Sequence, residues 1–258
     1  MKAAELTIGM AETVPHRHHP DAESGSVQRY ARAGGALYLI IIVIGLLGEG
    51  WIRGSLVVAG DATATAQRIL ASEFLWRIGV AGEIVLLVCA VALTLVWYVL
   101  LRPVSRNLAL LMVFFAMTSL AVEAVSALHL QAVLIPLSSS AYLKVLDPQQ
   151  LHAMAYMSVV SHAHAFGLAL IFFGVECLIV GHLICASGYF PRVVGRMMQL
   201  AGVCYLVNSF AMVLSPSLAN LLFPAILLPA LLGESSFCLW LLIKGVDAAG
   251  WARKAHHT

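Results

Sequence analysis

Six apolar runs, each long enough to cross a bilayer as a helix, leave this chain of 258 residues little choice of architecture. They lie at roughly 34–54, 76–101, 107–136, 156–186, 193–215 and 218–243, and a spanning helix needs about 20 mostly apolar residues. In lipid, backbone donors and acceptors must pair within the segment, so runs of this length read as helices. Charged residues make up only 11% of the chain, against roughly 25% in soluble domains. The predicted fold is an all-α polytopic membrane protein, a bundle of six transmembrane helices in contact with the lipid bilayer. A disordered tail over 1–28, the six-helix domain over 29–245 and a second tail over 246–258 complete the expected layout.

The connectors support this division. "RPVSRN", "SGYFPR" and "SPS" separate successive runs with residues that end helices for backbone reasons. Arginine and lysine then set the direction. Lys2, Arg17, Arg29, Arg32, Arg102, Arg106, Arg192, Arg196, Lys244, Arg253 and Lys254 fall on one side, and Arg53, Arg68, Arg77 and Lys144 on the other. Cytoplasmic loops carry the excess of basic residues, so both termini are expected in the cytoplasm. Residues 1–28 hold Glu5, Glu12, Asp21 and Glu23 and no apolar core, unlike a cleaved signal, so the first span is expected to direct insertion itself. The net charge of +2, with no basic patch beyond the helix flanks, gives no support for nucleic-acid binding.

Smaller features refine the picture. Asp61 is placed to cap a short surface helix whose Ile69, Leu70 and Phe74 form an apolar stripe. "LSSSAYLKVLDPQQLHAMAYM" is expected to start another interfacial turn before the fourth span. Pro216, Pro224 and Pro229 predict a kink in the sixth span. Cys89, Cys177, Cys185, Cys204 and Cys238 form no C-x-x-C pair and read as small buried hydrophobes. "HRHHP" (16–20) and the histidines at 256–257 read as unstructured tails, with a weak metal contact as the alternative. No internal repeat stands out, which weighs against a repeat-built transporter.

Four segments carry a resemblance: "AGDATATAQRILASEFLWRIG", "YVLLRPVSRNLALL", "HAFGLALIFFG" and "SGYFPRVVG". In this order they resemble the signature segments of a bacterial multi-pass family, domain of unknown function 4386, over roughly residues 29 to 215. The resemblance implies a helical protein of the bacterial cytoplasmic (inner) membrane and brings no established catalytic residues. His164 matches a histidine of the family pattern. In "LVCAVAL" this chain has Ala90 where the pattern tends to an acid.

Ionisable residues in the spans are the candidate functional groups, because each is costly in lipid. A rise of 1.5 Å per residue converts position into depth. Glu49, Glu83, His129, His162 and His164 fall in the outer third, at one level, and form a candidate polar cluster. Glu123, Glu176, His182, Asn208 and Glu234 lie deeper and could form an inner relay. On span four, His164 and His182 share one face, while His162 and Glu176 share another, about 160° from His164. Gly167, Gly174, Gly181 and Gly188 recur every seven residues, a seam along which a neighbouring backbone can approach closely.

Several chemistries fit such a cluster. His129, His164 and Glu83 could hold zinc or non-haem iron as Lewis acid or hydroxide source. No H-E-x-x-H or E-x-x-H pair supports that choice. Carboxylates and histidines facing a water-filled cavity could serve a small-molecule or proton carrier. The same groups could instead be packing contacts in an assembly or sensing protein, and His129 opposite His162 or His164 could ligate haem. Glu49 and Arg53, four residues apart, could pair at the membrane surface.

Overall fold

Residues 20–256 are described by the computed structural model, whose regular structure is all helix, with no strand among them. The tails at 1–19 and 257–258, with His16, His18, His19 and His257, lie outside the described residues. Five helices are long and apolar enough to cross a membrane, and a bent pair brings the number to as many as six. The first of these spans runs as α1 (Pro20–Gly45), a π-helical segment (Leu46–Arg53) and a closing turn, α2 (Gly54–Leu56). Helix thus begins inside the expected N-terminal tail. Proline is favoured at a first helical position, where its missing N–H would be unpaired anyway.

A surface helix, α3 (Ala62–Ala71), follows. As expected, the Asp61 carboxylate caps it, accepting from the Ala64 N–H at 2.8 Å. Its inward face differs from the expected stripe: Thr65, Ala66 and Ile69 are buried, whereas Leu70 and Phe74 are exposed. Helix α4 (Glu73–Leu101) returns through the bundle and α5 (Arg106–Ala132) crosses again, capped by Ser105.

Next comes α6 (Pro148–Ser187), 40 residues without a break. The segment before the fourth span does hold a turn, a 3₁₀ turn over Ala141–Val145, while its last part, from Pro148, already belongs to α6. Asp147 accepts from the Gln150 N–H at 2.9 Å, and the Gln150 side chain accepts from the Asp147 N–H at 3.1 Å. With Pro148 at the first helical position, this capping box starts the helix eight residues before the apolar run. Asp147→Ala removes the cap, and the helix is expected to lose about 1 kcal/mol. Hydrogen exchange should then quicken at residues 148–152 and stay unchanged near Gly174; uniform protection would overturn this account.

Helix α7 (Arg192–Leu214) packs antiparallel on α6 along the glycine seam. A Cβ on Gly202 would stand 2.5 Å from the Gly174 carbonyl oxygen, and one on Gly181 2.5 Å from that of Gly195. The seventh-residue repeat of glycine therefore places two backbones in contact. Gly188 ends α6 with φ of +77° and so leaves the seam to serve as a helix stop.

The sixth apolar run is broken rather than merely kinked. α8 (Pro216–Leu222) and α9 (Leu227–Ile243) meet at 57°, with Pro224 at the break. Proline there supplies no N–H and disfavours helix at the preceding residue. Pro229 sits in the first turn of α9, where it costs no hydrogen bond.

Neighbouring helices pack in the order α1, α4, α5, α6, α7, α9, and α9 packs back on α1, closing a ring. Gln28 fastens the closure: its amide donates to the Lys244 carbonyl at 3.0 Å and accepts from the Val246 N–H at 3.1 Å. Both ends of the described bundle therefore lie on one side. The expected C-terminal tail forms a helix, α10 (Ala248–Ala255), because Asp247 caps it. Trp251 Nε1 and the Tyr189 hydroxyl both donate to the Leu100 carbonyl, at 3.1 and 2.7 Å, so this end is covered and its orphan carbonyl satisfied. Outward-facing Val88, Phe114, Val213 and Ile243 are each more than 60% exposed. Residues of this kind, on helices that satisfy their own backbone, suit contact with lipid tails.

Candidate functional site

The ring encloses a cavity of about 440 Å³ between α1, α4, α5, α6, α7 and α9. On α1 and its π-helical continuation, the lining residues run Ile42, Leu46, Gly50, or Gly45, Glu49, Arg53, four apart. A four-residue step overshoots one α-helical turn and falls short of one π-helical turn, so the change of helix type holds both rows on the cavity wall. On α6 the lining stripe is Phe166, Ala169, Leu170, Phe173 and Glu176, a single helical face.

Carboxyl groups converge here. Glu49, Glu83, Glu123, Glu176 and Glu234 all line the cavity, and among the described residues Arg53 is its one basic lining residue. Arg53 bridges two of the acids: Nε donates to Glu49 Oε2 at 2.5 Å, and Nη1 lies 3.5 Å from Glu83 Oε2. The expected Glu49–Arg53 pair is therefore present, extended to Glu83 on α4. Glu234 on α9 is held by two phenols, Tyr38 on α1 at 3.0 Å and Tyr205 on α7. Glu123 on α5 and Glu176 on α6 receive no hydrogen bond from any described residue. The Trp97 indole N–H, also buried on a lining residue, has no acceptor among the described residues.

Histidines take no part in this lining. His164 is exposed, and its Nδ1 pairs with the Val160 carbonyl of its own helix at 2.9 Å. His129 is half-buried on α5 and His182 is exposed on α6. His162 is buried, but it serves the α5–α6 contact: Ser126 Oγ lies 2.7 Å from its Nδ1 and donates to its carbonyl at 2.9 Å. Ser119, seven residues earlier, donates likewise to the Ala169 carbonyl, so two serines lace these helices together. Asn208 is buried outside the cavity, with its amide 3.9 Å from Met212 Sδ.

The structure brings together a different grouping from the one expected by depth. Glu49 and Glu83 do meet, but their companions are Glu123, Glu176 and Glu234 rather than His129, His162 and His164. Depth along a helix says nothing about the direction a side chain faces, and His164 turns away from the ring's interior. Among the described residues, no three His, Cys, Asp or Glu side chains form a group that could hold a metal ion. The zinc or iron triad of His129, His164 and Glu83 has no counterpart. Sequence reasoning missed Tyr38, Tyr205 and Trp97 as partners of the site. The one signal in the chain was the fourteen-residue spacing that puts His162 and Glu176 on one face, which is the buried one.

A closed ring of helices, five or six of them long and apolar enough to cross a membrane, surrounds an acid-lined cavity, the architecture of a polytopic helical protein. The chain belongs to the family described as domain of unknown function (DUF4386), whose model matches residues 33–245. It is also similar to an uncharacterised protein of Archaeoglobus fulgidus, 25% identical over 166 residues, covering 64% of this chain and 83% of that relative. No solved structure matches the chain.

Proposed function

We propose that this protein binds a small molecule within the membrane, in the cavity enclosed by the six-helix ring. One observation carries the reading: Glu176, 4% exposed, lines the cavity and has no partner among the described residues. A buried polar group without a partner costs about 1–3 kcal/mol or more, so it is kept where a ligand or water completes it. The Trp97 N–H adds a second uncompleted group on the same lining. The volume falls in the range of small-molecule sites, and its walls combine apolar surface with a few polar groups, as such sites do. The balance of arginine and lysine supports an orientation with the α10 end facing the cytoplasm.

Binding to protein in lipid nanodiscs tests this. Nile red, anilinonaphthalene sulfonate and tetraphenylphosphonium cover neutral, anionic and cationic apolar probes. At least one is expected to saturate at one per chain. Ala90 lines the cavity from α4, and Ala90→Phe fills part of the space. It is expected to weaken that binding at least tenfold with helicity retained. If no probe saturates, or Ala90→Phe leaves saturable binding untouched, the cavity is not a ligand site.

A further inference from the structure

Resting on the small-molecule reading, we infer that the cavity selects an apolar organic cation, an amine or onium group carried on a hydrophobic body, with Glu176 and Glu123 as its counter-groups.

The selection follows from which lining groups are already engaged. Among the described residues, five carboxyl groups face the cavity against one guanidinium. Arg53 is occupied by Glu49 and Glu83. The two tyrosine hydroxyls are directed at Glu234. What remains for a ligand is a pair of carboxyl groups, Glu123 and Glu176, which receive no hydrogen bond from any described residue, and a single donor, the Trp97 indole N–H. Glu176 is 4% exposed, so whatever reaches its carboxyl does so through the cavity. An anion entering the same space would meet carboxyl oxygens, with the one lining guanidinium already paired, which in a low-dielectric interior is strongly unfavourable.

The walls around these two acids suit the same guest. Phe173 precedes Glu176 by three residues on α6 and so stands beside it on the lining face, with its ring 5.3 Å from that of Tyr205. Aromatic faces attract a desolvated cation by about 2 kcal/mol or more, in addition to burying its hydrocarbon. A small hydrated metal ion gains little from such walls, and no three ligating side chains are grouped for it among the described residues. A cation with its charge spread under hydrocarbon gains from both the rings and the acids.

Tetraphenylphosphonium and tetraphenylborate have nearly the same size and shape and opposite charge, so their comparison isolates the sign. Equilibrium dialysis against full-length protein in nanodiscs, corrected with empty nanodiscs, is expected to give saturable binding of the cation alone. Glu176→Gln and Glu123→Gln, which keep size and remove the ionisable carboxyl, are each expected to weaken the cation at least tenfold while Nile red binding is retained. That retained binding shows the variants to be folded around an intact cavity. If the wild type takes Nile red but shows no preference for the phosphonium, or if both glutamine variants keep the preference, cation selection is overturned and the small-molecule reading stands. If none of the probes saturates, both fall together.

Discussion

Arg53→Met is expected to destabilise the bundle by about 3–5 kcal/mol, the loss typical when one partner of a buried ion pair is removed. The Arg53 side chain is 10% exposed and that of Glu83 5%, and 3.5 Å separates them across the α1–α4 contact. Taking away the guanidinium leaves Glu83 in an apolar wall with no cation near it. Glu49 suffers less, because its side chain is 56% exposed and can be solvated. The converse change helps to separate pairing from packing. A double variant, Arg53→Met with Glu83→Leu, replaces both charges by apolar groups and is expected to recover most of the loss, since a buried pair and its hydrophobic replacement often differ little. Unfolding in lipid–detergent mixtures, read as a double-mutant cycle, checks both. An Arg53→Met protein as stable as wild type would mean that the bridge contributes nothing.

The second large effect lies on the opposite side of the ring. Gly202→Ala puts a methyl 2.5 Å from the Gly174 carbonyl oxygen, and Gly181→Ala puts one 2.5 Å from the Gly195 carbonyl oxygen. The obstacle in each case is backbone on a facing helix, so relief requires α6 and α7 to move apart. Overpacking of this kind costs about 1–3 kcal/mol. The two contacts lie seven residues apart along α6, about 10 Å, so the double variant is expected to lose nearly the sum of the single losses. A less-than-additive double loss would show that the first methyl already separates the helices. No loss from either change would mean that the seam is not a tight contact. Gly188→Ala makes a useful contrast: a methyl there would meet no atom within 4 Å, and its cost comes from the positive φ alone.

Much of the architecture is readable from the chain alone. Long apolar runs dictate helices because lipid offers the backbone no partner. Asp61, Asp147 and Pro224 mark where helices start or break through purely local chemistry, and the glycines at 174 and 181 announce a close backbone contact by their period. Residue type and spacing could not give the phase of each helix around its axis relative to its neighbours. That phase decides the site. Glu83 and His164 lie at similar depth by position, yet one faces the cavity and the other faces outward to bond its own helix. Glu123, Glu176 and Glu234 belong to three different helices, and only the packing of α5, α6, α7 and α9 in turn brings them around one space. Tyr38 and Tyr205 were silent for the same reason. A tyrosine in an apolar run is ordinary until a carboxylate 196 positions away in sequence is found to lie beside it.

The length of α6 has a mechanical consequence. Forty residues at 1.5 Å each make a rod of about 60 Å, twice the roughly 30 Å of hydrocarbon it must cross. Its far end carries the Tyr156 hydroxyl that accepts from the Gly60 N–H at 2.7 Å, so the loop leading into α3 rides on it. The same rod bears Glu176 and the contact with α7. It is a lever that lines the cavity near its pivot and whose long arm, beyond Phe166, runs out to Pro148. A tilt of about 10° about the Gly174 contact would carry the outer tip through about 6 Å, from that geometry. Rearrangement around a guest that is too small to see inside the bundle would be magnified there, within reach of a pair of spin labels on Gln150 and Gly25.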